Sequence, residues 1–215
     1  MRLLRKSLVM DRDFIVRDDN LLTKSQCNQI IQYVKDNNEF VPNKNIEYRG
    51  YSAVQLMYDG GSLDDSFDVT ELRPLKNAIL KLECSYREKY PEVNNVSRRV
   101  GSTLGSWEAS NIKLKYWKPW EYYSLWHSEH GREIPNRINH FLIYLSDNDS
   151  HTEFRRYRNV RTKAGRGIMF PAYFTHTHRG SPCKKGLDRF IVSGYFSFNM
   201  GHEQYKDIKE RGRCI

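Results

Sequence analysis

The sequence predicts an α+β fold: two helices first, then a run of strands closing into a β-sandwich or barrel that carries the chemistry. Three observations predict it. Apolar residues recur at helical spacing up to about residue 90. From Asn111 onward the pattern changes to two-residue alternation and short buried runs. The chain is 215 residues long with 13% aromatic and 28% charged residues, enough apolar matter for one sizeable core and too much for a disordered chain.

The first helix is read from LTKSQCNQIIQYVKDNN, residues 22–38. Thr23 and Gln26 have capping-box spacing, and Cys27, Ile30, Ile31 and Val34 follow at i, i+3, i+4 and i+7. The second runs from about Glu71 to Tyr90. Pro74 sits in its first turn, Leu75, Ile79, Leu82 and Tyr86 form one side, and Pro91 stops it. VGSTLGSWEASN, residues 100–111, has no period and reads as a loop, with residues 101–110 a candidate lip over an active site.

Four strand patterns follow. IKLKYWK alternates, INHFLIYL is apolar on both faces, GIMFP is short and buried, and RFIVSGYFSF alternates again. Between them RRYRNVRTKAGR packs Arg155, Arg156, Arg158, Arg161, Lys163 and Arg166 into one basic hairpin. The usual reading of such a run is a solvated hairpin, with a binding surface for something acidic as the alternative, while the formal charge of +9 suggests an acidic partner without specifying the fold. Cys27, Cys84, Cys183 and Cys214 form no CxxC pair or disulfide-like framework, and Cys27 and Cys84 are expected as small core residues. No apolar run is long enough to span a membrane, and the first residues lack a signal-peptide pattern, so a reducing cytoplasm is the expected compartment.

The chemistry is sought in WHSEHG, residues 126–131. In a strand His127 and Glu129 share a face about 7 Å apart, as two residues gripping one cation would. A third ligand has its best context in FPAYFTHTHRGSP, where His176 and His178 are again two apart and either can serve. Two histidines and one carboxylate cap one face of an octahedral Fe(II) and leave three positions open. Two of those suit a bidentate 2-oxo acid and the third dioxygen. A 2-oxo acid with a second carboxylate needs a cation at its far end. Arg189 and Ser193 share a face of the last strand and offer a guanidinium fork and a hydroxyl.

NIKLKYWKPWEYYSLWHSE, followed in order by NHFLIYLSD, TEF, GIMFP, HTHRGSP and DRFIVSGY, resembles the 2-oxoglutarate- and Fe(II)-dependent dioxygenases of the prolyl 4-hydroxylase type. The resemblance covers about residues 111–198. It implies a double-stranded β-helix (a jelly-roll, cupin-like barrel) within a single domain 1–215. Residues 1–98 would support the core, 111–198 would form it, and 199–215 would be a C-terminal tail. It further implies iron on His127, Glu129 and His178, the last chosen over His176 because Pro182 and Gly186 follow at +4 and +8. Arg189 would bind the far carboxylate of 2-oxoglutarate, assisted by Ser193 and Tyr144. The implied activity is hydroxylation of a protein or peptide side chain, with 2-oxoglutarate converted to succinate, O₂ consumed and ascorbate a candidate accessory reductant. A small-molecule substrate stays open.

Three departures stand out. The acid is Glu rather than the commoner Asp, and NDSH replaces the glycines usual before TEF. The cosubstrate-facing aromatic is either Tyr116 or Trp117. Counting back from His127 selects Trp117, whereas alternation with Ile112 and Leu114 selects Tyr116, the residue favoured here. Trp117, Trp120, Tyr122, Tyr123 and Trp126 are expected mainly as packing, with one or two lining a substrate groove. Two rival functions remain. A zinc hydrolase fits two His and one Glu, but HExxH is absent and Arg189 would have no purpose. A non-catalytic barrel binding an acidic partner or nucleic acid fits the basic hairpin.

Overall fold

The computed structural model describes residues 13–43, 50–93 and 107–198. Strand β1 (Val16–Asp18) leads to helix α1 (Lys24–Asn37), then β2 (Val41–Pro42) and β3 (Ser52–Met57). Helices α2 (Leu63–Ser66) and α3 (Arg73–Lys89) follow. The remaining strands are β4 (Trp107–Trp117), β5 (Arg137–Tyr144), β6 (His151–Phe154), β7 (Val160–Arg161), β8 (Gly167–Pro171), β9 (His178–Gly180) and β10 (Arg189–Phe198).

The capping box at α1 is formed. The Thr23 hydroxyl accepts from the Gln26 amide at 3.2 Å, and the Gln26 side chain accepts from the Thr23 amide at 2.9 Å. Proline stands in the first turn of α3, where its missing N–H leaves no bond unmade.

Seven strands form one antiparallel sheet in the order β1-β8-β5-β10-β4-β3-β2, and three form a second, β7-β6-β9. This is the double-stranded β-helix, with apolar groups on both faces of the large sheet. Its outer face packs on Cys27, Ile30 and Val34 of α1 and Leu75, Ile79 and Leu82 of α3. Its inner face meets Phe154 and Val160 of the small sheet through Leu142, Tyr144, Ile168, Phe170 and Ile191. That explains why INHFLIYL is apolar throughout: Phe141 and Ile143 serve one layer, Leu142 and Tyr144 the other.

The stretch read as a loop is partly strand. Residues 101–106 lie outside the described residues, but Trp107–Ser110 begin β4. Asn111 adopts φ +48°, and the β4–β10 register slips by one residue beside it. Across this bulge Trp107 and Ala109 join Ile112 and Leu114 in the helix-side core, so the buried positions switch from odd to even numbers. Alternation is hidden for that reason. Trp107 packs against Tyr86 and Phe196 in that core rather than serving a lip over an active site.

Cys27 and Cys183 are buried, whereas Cys84 is exposed on α3 and not the core residue expected. Cys214 lies outside the described residues. Among the described residues no helix is long and apolar enough to cross a membrane.

Candidate metal and cosubstrate site

A cavity of about 150 Å³ opens between the two sheets. On one wall His127 and His178 face each other as an antiparallel pair. The His127 amide donates to the His178 carbonyl at 3.0 Å, and the His178 amide returns the bond at 2.9 Å. The Glu129 amide donates to the Ala172 carbonyl at 2.9 Å. Backbone pairing therefore sets where these residues stand.

Each imidazole is oriented through its other nitrogen. His127 Nδ1 lies 3.0 Å from the Leu125 carbonyl, and His178 Nδ1 lies 3.0 Å from the His176 carbonyl. A carbonyl only accepts, so both Nδ1 atoms carry the proton and both Nε2 lone pairs face the cavity. There they meet Glu129, whose Oε1 is 3.1 Å from His127 Nε2 and 3.8 Å from His178 Nε2. All three ligand atoms lie within 4.8 Å of one another. Donors bound at about 2.1 Å to one ion stand ~3 Å apart, a separation that His127 Nε2 and Glu129 Oε1 already have, and His178 would draw in to complete the set around a divalent metal.

The second oxygen of Glu129 is held by Tyr195, whose hydroxyl donates to Oε2 at 2.7 Å. Arg137 lies over the Tyr195 ring at 3.6 Å and reaches Oε2 at 3.5 Å. A fourth imidazole borders the site, with His140 Nδ1 3.6 Å from Oε1 and its Nε2 3.0 Å from Ser193 Oγ. Burial alone would raise the carboxyl pKa of Glu129. The neighbouring His140 and His127, with Lys115 beyond them, draw it well below the ordinary carboxylate range, so a proton taken up by this cluster goes to an imidazole before it goes to the carboxylate.

Burial, aided by the neighbouring His127, pushes His178 down to about 3, and burial pushes His140 well below the ordinary histidine range. These groups are neutral when folded and take up protons when unfolded below about pH 6.5. The metal-free protein should therefore lose stability as pH falls from there, by up to roughly 1.4 kcal/mol per pH unit for each group. Thermal unfolding of metal-free protein between about pH 7.5 and about pH 5 checks the sign. A flat melting temperature would contradict it.

At the far end of the cavity Arg189 is 3% exposed. Its Nη1 donates to the Ser181 carbonyl at 3.2 Å and its guanidinium lies 5.0 Å from the Trp117 ring centre. Its Nε has no hydrogen-bond partner among the described residues. Burial lowers its pKa to about 10, which leaves it charged at neutral pH. Gly180 gives it room, since a Cβ there would stand 3.0 Å from Nη1. A buried, charged fork with an idle N–H is arranged to receive an anion.

The other sequence-predicted residues fall out as follows. Tyr144 is on the inner face of β5, but its hydroxyl is taken by Thr152 at 2.7 Å, and Thr152 rather than Tyr144 lines the cavity. Ser193 shares a face with Arg189 yet meets His140 instead of the cavity. Tyr116 points the other way. It stacks on Phe190 at 4.7 Å and donates to Asp188 at 3.1 Å, while Trp117 lines the cavity. Ile112 and Leu114 face the helices, so alternation with them carries Tyr116 outward, and the count back from His127 is the better guide.

His176 stands in a 3₁₀ turn (Phe174–His176) rather than a strand, which breaks the shared-face pattern with His178. Its Nε2 meets the Asp13 carbonyl at 2.7 Å, its Nδ1 meets Thr175 at 2.9 Å, and its ring stacks on Tyr157. His140, Arg137, Tyr195 and Lys115 belong to the site without having been singled out. For His140 the signal was present, because it lies on the same strand face as Leu142 and Tyr144.

No protein-family model matches the sequence, and no curated protein is similar to it in sequence. Solved structures are similar in fold. A viral collagen prolyl hydroxylase from Paramecium bursaria Chlorella virus-1, in its 2-oxoglutarate complex, aligns with a TM-score of 0.60 and 16% identity over 87% of this chain and 97% of that one. A Pseudomonas putida prolyl-4-hydroxylase gives 0.58 and 13% over 86% and 93%. A Trichoplax adhaerens prolyl hydroxylase in complex with a hypoxia-inducible-factor peptide fragment gives 0.57 and 13% over 96% and 89%. At this identity the likeness establishes the double-stranded β-helix.

Proposed function

We propose that the protein is an Fe(II)- and 2-oxoglutarate-dependent dioxygenase that hydroxylates a protein or peptide side chain. The observation that carries the reading is Arg189: a buried guanidinium with an idle N–H, in the same cavity as two imidazoles and a carboxylate that converge. A zinc hydrolase gives that arginine nothing to do. A 2-oxo diacid requires it, because one end binds a metal and the other carries a second carboxylate.

His127, Glu129 and His178 would hold the iron, and Arg189 the far carboxylate of 2-oxoglutarate. Once bound, iron and 2-oxoglutarate supply the activation of dioxygen that hydroxylates a C–H bond, with loss of CO₂ and release of succinate. Tyr195 and Arg137 fix Glu129 through Oε2, leaving Oε1 to the metal. Trp117, 5% exposed, forms an apolar wall beside Arg189 and keeps water from the carboxylate pair.

A peptide substrate is supported by the peptide complex of the Trichoplax adhaerens neighbour and by the rim of the cavity. At that rim Trp126 meets the guanidinium groups of Arg179 at 4.5 Å and Arg155 at 5.3 Å, a flat, cationic surface suited to an acidic segment. The test is succinate formation from 2-oxoglutarate by iron-loaded protein in air. Slow succinate release without substrate and faster release with acidic, proline-containing peptides is the expected result. No succinate under any condition would sink the oxygenase reading.

A further inference from the structure

Lys115 holds neither the metal nor the far carboxylate in the roles assigned above. It lies on the inner face of β4 and its side chain lines the same cavity. The register pairs Trp117 with Arg189 and Lys115 with Ile191, so Lys115 stands one pleat repeat, about 7 Å, along the sheet from the level of Arg189. In the same direction β10 continues to Tyr195, which holds Glu129. Lys115 is therefore placed between the far anion anchor and the metal-ligand trio.

Its ammonium has no carboxylate at ion-pair distance among the described residues, and it lies 5.4 Å from the centre of the Tyr51 ring. Burial lowers its pKa, Glu129 draws it back up, and Arg137 and Arg189 oppose its charge. The cavity wall thus carries Lys115 and Arg189 without carboxylate partners, Arg179 paired with Glu153, and one acid, Glu129. A dianion about 5 Å between carboxylate carbons, the span of four carbon–carbon bonds, balances Lys115 and Arg189 together.

We propose that Lys115 is a second anion anchor in this cavity, holding the metal-side carboxylate of the 2-oxo diacid whose far carboxylate Arg189 receives. The assignment rests on the oxygenase reading. It makes Lys115 a determinant of cosubstrate affinity that acts on the 2-oxo acid end, whereas Arg189 acts on the other end.

The two ends are separated by two probes, 2-oxoglutarate and 2-oxobutyrate, which lacks the far carboxylate. Both are titrated by calorimetry into iron-loaded protein without oxygen, using wild type, Lys115→Met, Lys115→Gln and Arg189→Gln. Loss of the ammonium should weaken both probes by roughly 10-fold or more, the size of a charge-assisted bond. Arg189→Gln should weaken 2-oxoglutarate alone.

Wild-type affinity for both probes in either folded Lys115 variant overturns the proposal. If those variants bind both probes normally but turn over an acidic peptide poorly, the ammonium serves the substrate and the proposal is likewise overturned. If wild type binds iron but neither probe, the oxygenase reading itself fails and the assignment of Lys115 falls with it.

Discussion

Arg189→Gln is expected to weaken 2-oxoglutarate binding by roughly 30- to several-thousand-fold, because a buried carboxylate left without its charge partner loses on the order of 2–5 kcal/mol. The size follows from the site. Arg189 is 3% exposed and its Nε has no partner among the described residues, so water cannot screen the lost pair or replace it. Arg189→Lys keeps the charge but loses the fork, and Ser181 takes one of the remaining donors, so a smaller loss is expected. Iron affinity should change little in either variant. Calorimetric titration of 2-oxoglutarate into iron-loaded, oxygen-free protein measures the effect, and equal affinity in wild type and Arg189→Gln would remove the anchor.

The second large effect is at the metal. His178→Ala should abolish turnover and lower iron affinity by more than the roughly 10- to 100-fold that loss of an outer partner costs. The strand itself should survive, since it is held by backbone bonds: His178 to His127, Gly180 to Tyr123 and Ser181 to His151. His176→Ala should behave in the opposite way. It removes a bond to the Asp13 carbonyl and a stack on Tyr157, costing about 1–3 kcal/mol of stability, and should leave iron affinity near wild type. Iron titration and thermal unfolding of both variants check this. Iron binding retained in His178→Ala and lost in His176→Ala would reverse the ligand choice.

Which parts of this architecture were legible in the sequence depended on whether backbone periodicity stayed regular. Helices α1 and α3 were readable because both keep a 3.6-residue period, joined at α1 by the capping box of Thr23 and Gln26, whereas the four-residue α2 is too short to show a period and was not predicted. The positions of His127, Glu129, His178 and Arg189 were readable because short spacings and strand order bring them to one cavity. The start of β4 was hidden by the bulge at Asn111, which moves the buried set from odd to even positions. Tyr116 was misassigned because both faces of the large sheet are apolar, so alternation identifies a face without saying which layer it meets. Tyr195 could not be weighed from the sequence, since its role depends on one carboxylate oxygen that comes from a different segment. Lys115 reads in sequence as an ordinary strand lysine. Only the fold shows it lining a cavity.

The most direct measurement is the visible spectrum of the protein with Fe(II) and 2-oxoglutarate in the absence of oxygen. Chelation of iron by the 2-oxo acid on a site with two imidazoles and one carboxylate should give a weak metal-to-ligand charge-transfer band. The band should saturate with one 2-oxoglutarate per chain and disappear in Glu129→Ala. A band that titrates in this way is the result predicted. Tight iron binding with no band at saturating 2-oxoglutarate would contradict the account, because the trio would then be a metal site with no cosubstrate beside it.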